Sequence, residues 1–200
     1  MLRLEEAFRD EPALAARWRA AAPYPHLVLD DVAAPDALPT LIEMLEEEPV
    51  ERYEGDIFVF DATAPEPRTT ELRALREDLS RLLAPVLSRI TGRPVVRADL
   101  RAYAYRVGHY LLPHSDHQEG LARALAFAWY LPTPEPPVGG ELELYRCELA
   151  AGEITSVASA QLIEPRPNRL VVFEVGDASL HQVREVLAGL RLSLAGWFYP

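Results

Sequence analysis

Between Val95 and Tyr199 the chain breaks into eight strand-length, β-rich segments, at 95–106, 108–116, 123–131, 140–146, 153–163, 169–175, 180–186 and 190–199, separated by proline and glycine. No helical periodicity intervenes, which excludes a parallel sheet wound with crossover helices and predicts an antiparallel sandwich or barrel. The first half reads differently. Leu72, Leu75, Leu79, Leu82, Leu83, Val86 and Ile90 recur at threes and fours, which predicts a helix over 70–91 with a kink at Pro85 and a stop at Gly92. Leu4, Phe8, Leu14, Ala15 and Trp18 predict one or two amphipathic helical segments interrupted at Pro12. A short strand at 24–30, a helix from Ala34-Pro-Asp36 to Glu47 and a strand at 53–61 complete this half. The expected organisation is one domain, 1–200, with a mainly helical support layer carrying short strands (1–93) and a β core (94–200).

Composition narrows the partners. The net charge is −11, and all 20 basic residues are arginine. So acidic a chain argues against a nucleic-acid substrate. Cys147 is the only cysteine, which allows no intramolecular disulfide and favours a reducing, cytoplasmic setting. The start, Met-Leu-Arg-Leu-Glu-Glu, has no signal-peptide pattern, and no apolar run approaches the roughly 18 residues of a membrane span.

The stretch from Tyr105 to Asp116 ends in His114-Ser-Asp116, a histidine and a carboxylate two residues apart. On a strand such a pair shares one face and can meet one metal ion. His181 offers a third ligand. Two histidines and one carboxylate on a β scaffold form the facial triad of non-haem Fe(II) oxygenases, whereas a closed zinc site needs four ligands and usually cysteines. Arg191 sits between Leu190 and Leu192 in an apolar strand, where a guanidinium needs an anionic partner suited to its planar fork. With the trio, it implies a dicarboxylate beside the metal.

Together, His114-x-Asp116, His181 and Arg191-x-Ser193 resemble the complete motif of the 2-oxoglutarate/Fe(II)-dependent dioxygenases, and most closely the prolyl-hydroxylase-like subgroup. The resemblance spans residues 24–199 and includes Tyr24-Pro-His-Leu-Val-Leu-Asp-Asp, Gly139-Gly140-Glu-Leu and Asn168-Arg-Leu-Val-Val-Phe. It implies a mainly β fold, a double-stranded β-helix (jelly roll, cupin-like) with N-terminal supporting α-helices. It further implies Fe(II) on His114, Asp116 and His181, and 2-oxoglutarate with its C5 carboxylate on Arg191. Tyr105 and Tyr130 match tyrosines that help hold the co-substrate, and Ser193 adds a hydrogen bond. The implied reaction uses O2, releases succinate and CO2, and is open to stimulation by ascorbate.

The substrate expected from this resemblance is a peptidyl or protein residue, proline favoured. The alternatives are a free amino acid or biosynthetic intermediate, or a cupin-like binding module without turnover. If Tyr105 faces the cavity, strand alternation sends Tyr103 and Arg101 to the same side, as contacts to substrate or rim. Against this, Arg101 can simply pair with an acid, and the tyrosines can be core residues with satisfied hydroxyls. The segment 118–123 and the loop 132–137 are expected rim elements. His26, His109 and His117 are read as structural or loop residues. Oligomeric state does not follow from the sequence, nor does the choice among hydroxylation, desaturation and cyclisation.

Overall fold

The computed structural model describes residues 6–200, and Leu4 lies outside them. In chain order the elements are α1 (Glu11–Ala20), β1 (His26–Leu29), α2 (Ala37–Glu46), β2 (Val50–Gly55), β3 (Phe58–Thr63) and α3 (Thr70–Thr91). They continue as β4 (Arg97–Ala98), β5 (Arg101–Tyr105), β6 (Tyr110–His114), β7 (Leu125–Leu131), β8 (Val138–Gly139) and β9 (Leu142–Ala150). The last are β10 (Glu153–Ile163), β11 (Leu170–Glu174), β12 (His181–Val183), β13 (Val186–Ala188) and β14 (Arg191–Tyr199). No helix among the described residues is long and apolar enough to cross a membrane.

Twelve strands form one curled antiparallel sheet in the order β1-β11-β7-β14-β5-β3-β6-β12-β9-β10, with β2 added on β3 and β4 on β14. This is the expected jelly-roll core. β3 turns the corner: its Asp61 and Ala62 pair with β5, and its Phe58 and Val59 pair with β6. One wall therefore runs from β1 to β5 and the other from β6 to β10, and the two enclose a cavity.

Helices cover the outer face of the first wall. Phe127, Trp129 and Leu131 of β7, Leu194 and Phe198 of β14, and Leu170 and Val172 of β11 pack in one cluster with Trp18 of α1 and the apolar stripe of α3. The alternate residues of β7, Ala126, Ala128 and Tyr130, are also buried. Covered on both sides, β7 reads as an unbroken apolar run. Each leucine of α3 buried this way, Leu72, Leu79 and Leu87 among them, contributes about 1.5–3 kcal/mol over leaving it in water.

Three local expectations change. Pro12 does not interrupt a helix: Asp10 caps α1 by accepting from the Ala13 N–H at 3.0 Å, and Pro12 occupies the first turn, where its missing N–H costs nothing. The strand expected at 53–61 is a hairpin. Gly55 pairs with Phe58, so Asp56 and Ile57 are a tight turn between β2 and β3. The 95–106 segment divides into β4 and β5 at Asp99, whose side-chain carboxylate, in place of a backbone carbonyl, accepts from the Trp197 N–H (2.6 Å) and also from the Tyr199 hydroxyl (2.7 Å). α3 itself spans 70–91 as expected, continues through Pro85, and ends at Gly92 with φ 72°.

β9 and β10 form a long hairpin whose outer strand is a sheet edge, with register shifts between Ile154 and Ser156 and between Ser159 and Gln161.

Glu48, buried beside the α3 N-terminus, accepts from the N–H of Arg68 (2.6 Å), the N–H of Thr69 (2.8 Å) and the Thr69 hydroxyl (2.6 Å). Burial alone would raise its pKa, but these donors outweigh burial and hold the carboxyl below its ordinary value. Glu48→Ala is expected to cost about 2–4 kcal/mol of unfolding free energy, read from urea denaturation. Because the folded-state pKa is lowered, the carboxylate's stabilising contribution is present above the ordinary glutamate range and is lost as pH falls through the folded-state value. The stability gap between wild type and Glu48→Gln should therefore shrink in acid.

Candidate functional site

β6 ends at His114, and His181 opens β12 directly opposite it in the antiparallel register. The two imidazoles lie 4.3 Å apart, centroid to centroid. His114 Nδ1 is 2.8 Å from the Leu112 carbonyl, and His181 Nδ1 is 3.0 Å from the Ser179 carbonyl. A carbonyl can only accept, so each Nδ1 carries a proton and Nε2 is the nitrogen left to ligate a metal. Burial pushes the His181 pKa down to about 4 against the opposing pull of Asp116, so this ring is neutral near pH 7.

Asp116 reaches the pair from beyond the end of β6. Strand alternation does not carry it there. Ser115 turns the chain, its hydroxyl donating to the Gly176 carbonyl at 2.8 Å, and Arg123 Nη1 donates to the Asp116 carbonyl at 3.2 Å. The Asp116 oxygens then stand 3.8 Å from His114 Nε2 and 3.5 Å from His181 Nε2. One ligand atom from each of the three residues lies within 4.8 Å of the others. Two imidazoles and one carboxylate fit a divalent ion that keeps open positions, Fe(II) among them.

Arg191 lies on the facing wall. It opens β14 opposite Tyr105 of β5, and Ser193 stands opposite both Tyr103 of β5 and Tyr130 of β7. The guanidinium carbon is 4.8 Å from the Tyr105 ring centroid and 4.9 Å from that of Tyr130, and Nη1 donates to Ser193 Oγ at 3.3 Å. Arg191 Nε and the Tyr130 hydroxyl are both buried without a hydrogen-bond partner among the described residues. Among the described residues no carboxylate forms an ion pair with Arg191. A buried cation left unpaired in this way fits a bound carboxylate. Burial drives the Tyr105 pKa well up, although the Arg191 charge opposes the shift, so its hydroxyl stays protonated.

Both halves open on one cavity of about 370 Å³. Tyr103, Tyr105, Arg101 and Ser193 line it with the three clustered residues and Arg191, and Phe58, Phe60, Leu111 and Val183 supply apolar wall. Tyr130 is not part of the lining; its ring backs Arg191. Arg101 has no acid partner among the described residues, unlike the simple ion pair that its sequence context also allowed. Its Nε donates to the Thr63 carbonyl at 2.8 Å.

Sequence reasoning placed Arg123 only as the end of the expected rim segment 118–123 and did not single out Trp197. Both line the cavity, and the Arg123 guanidinium lies 3.6 Å from the Trp197 ring centroid. The signal available was period two: Trp197 is an even number of residues from Arg191 on one strand. His26, His109 and His117 stay outside the cavity lining. His26 Nδ1 contacts the Tyr24 carbonyl at 2.9 Å, the buried His109 contacts Arg52 at 3.4 Å, and His117 faces Asp177 at 3.4 Å.

A curled antiparallel sheet that sets a His-Asp-His cluster across one cavity from a buried, unpaired arginine defines a protein of the non-haem metal oxygenase class. The sequence profile of the 2OG-Fe(II) oxygenase superfamily matches residues 100–199, and the chain belongs to that family, whose members use Fe(II), 2-oxoglutarate and O2. Among curated proteins it is similar to the mouse prolyl 3-hydroxylase OGFOD1, at 37% identity over 137 residues, covering 67% of this chain and 24% of that one. It is similar to the Xenopus laevis protein of the same name at 32% identity over 186 residues, covering 90% of this chain and 35% of that one. The chain thus spans about a quarter to a third of the length of these relatives. In fold it matches a Pseudomonas putida prolyl-4-hydroxylase with a TM-score of 0.69 and 21% identity, covering 93% of this chain and 98% of that one.

Gly140 sets the packing beneath Arg191. Its φ is +70°, and a Cβ there would stand 3.0 Å from Arg191 Cδ and 2.9 Å from Val186 Cγ2. Gly140→Ala is expected to cost about 2–3 kcal/mol in denaturant unfolding, through left-handed strain and overpacking. An unchanged midpoint would show that the site yields freely.

Proposed function

We propose that this chain is a 2-oxoglutarate- and Fe(II)-dependent hydroxylase acting on a peptidyl or protein proline. The observation that supports this most directly is the shared cavity: three metal-competent ligand atoms on one wall, and on the other an arginine with no anion beside it among the described residues. The named relatives, both prolyl 3-hydroxylases, favour proline as the residue modified. β1 and β3, from the first half of the chain, are integral strands of the cavity sheet, which supports reading 1–200 as one domain.

In this reading His114, Asp116 and His181 hold Fe(II). Arg191 receives the distal carboxylate of 2-oxoglutarate, with Ser193 and the protonated Tyr105 hydroxyl as further donors and Tyr130 as the ring that fixes the guanidinium. When bound, Fe(II) with O2 and 2-oxoglutarate supplies the oxidising power, one oxygen atom entering the substrate C–H bond and the other the succinate that leaves with CO2. The chain's own work is placement and exclusion of water. The Nδ1 contacts to the Leu112 and Ser179 carbonyls aim both Nε2 atoms at one point before any ion arrives. Phe58, Phe60 and Leu111 keep the cavity wall apolar, and Arg123 with Trp197 shapes another part of it.

Purified enzyme loaded with Fe(II) without air, then given O2 and 2-oxoglutarate, should release succinate and add one oxygen atom to a proline-containing peptide, read by mass spectrometry. His114→Ala and Asp116→Ala should abolish both products with the circular dichroism of the fold retained. Full turnover in either variant would remove that residue from the metal set. Arg191→Gln should raise the KM for 2-oxoglutarate by at least about 30-fold, the loss that accompanies removal of one partner from a buried charge pair. A chelator should silence the wild type reversibly, activity returning with Fe(II).

A further inference from the structure

The cavity wall carries three arginines, Arg101, Arg123 and Arg191, against one aspartate, Asp116, in a chain whose net charge is −11. Two of the three have evident occupation. Arg191 faces the space for a co-substrate carboxylate, and Arg123 is laid on Trp197 with a bond to the Asp116 carbonyl. Arg123 also keeps a buried Nε without a partner among the described residues, but its Nη1 is spent on the Asp116 carbonyl, whereas Arg101 is tied only through Nε to the Thr63 carbonyl.

Its placement is fixed from several sides. Nε is tied to the Thr63 carbonyl at 2.8 Å, and the guanidinium carbon lies 4.7 Å from the Tyr53 ring centroid and 5.3 Å from that of Tyr103. Nη2 is buried and has no hydrogen-bond partner, and no carboxylate among the described residues pairs with it. A guanidinium anchored through Nε, held against aromatic rings and lining the cavity with no carboxylate beside it among the described residues leaves its charge available to a carboxylate from outside the chain.

That carboxylate is not the co-substrate's. Arg101 stands opposite Ala195 on β14, four residues from Arg191, which is about 13 Å along a strand rising about 3.3 Å per residue. The two guanidinium groups also rest on different rings, Arg191 against Tyr105 and Tyr130 and Arg101 against Tyr53 and Tyr103. The residue between them on the same face, Ser193, is neutral, so the two cations are separate stations along one wall.

Resting on the hydroxylase reading above, we propose that Arg101 selects substrates carrying a carboxylate next to the residue to be hydroxylated. The carboxylate belongs either to an aspartate or glutamate flanking the target proline in a peptide, or to the target amino acid itself when it is free. Wild-type preference for the charged over the isosteric neutral form follows, because a neutral amide leaves the buried Nη2 poorly matched.

Binding tests this without turnover. Anaerobic enzyme holding Fe(II) and 2-oxoglutarate is titrated with N-acetyl-Asp-Pro-amide and N-acetyl-Pro-Asp-amide, each against its asparagine counterpart, and with proline against prolinamide, following tryptophan fluorescence. In wild type one pair should differ by at least about tenfold in favour of the carboxylate, and the pair that does so identifies its source. In Arg101→Gln the ratio should fall to about one. Arg101→Lys, which keeps the charge without the fork, should retain part of it. The ratio is taken within each variant, so a general loss of affinity cancels. Equal binding within every pair by wild type overturns the proposal, and so does a preference that survives in Arg101→Gln. Selective binding without any oxygenated product would instead leave the proposal standing and overturn the hydroxylase reading.

Discussion

One strand with two sets of partners makes the cavity possible. β3 gives its C-terminal half to β5 and its N-terminal half to β6, so the sheet bends around it and the metal-competent wall comes to face the arginine wall. Antiparallel register then fixes the rest. His181 meets His114 because β12 lies against β6, and Arg191 meets Tyr105 because β14 lies against β5. A slip of one residue in either pairing would turn the whole set of side chains to the opposite face.

Charge inside this enclosure is arranged against the charge of the chain. The surface is rich in acid, yet the cavity holds guanidinium groups braced by aromatic rings and by backbone carbonyls instead of by carboxylates. Rings hold a guanidinium in place without neutralising it, as a salt bridge would. Such groups keep their full attraction for an incoming anion. The neutral His181 adds no competing positive charge, because burial keeps its proton off.

Much of this was legible in the chain. The heptad-like leucines from Leu72 to Ile90 marked α3 to its ends, since local periodicity and a terminal glycine decide a long helix. His114, Asp116, His181 and Arg191 stood out because their residue types are costly in apolar strands without a task. What was not legible is non-local. That β2 and β3 form a hairpin depended on reading Asp56-Ile57 as a turn within an otherwise strand-like run. That Asp116 is delivered by a turn anchored on Gly176, 61 residues away along the chain, no spacing rule reveals. Trp197 was hidden for a simpler reason, since an apolar residue in an apolar strand draws no notice, and its even spacing from Arg191 tells only once that face is known to line the cavity.

The irregular outer strand of the long hairpin bears on a different matter, the behaviour of the protein in a crowded solution. β10 ends the sheet and exposes Ile154, Val157 and Leu162 beside a row of unpaired backbone groups. A straight edge of that kind invites another chain to add a strand. The two register shifts interrupt it within a few residues of one another, so an incoming strand could match only a short stretch before losing its hydrogen bonds. The same irregularities that spoil the ladder thereby keep one molecule from becoming the template for the next.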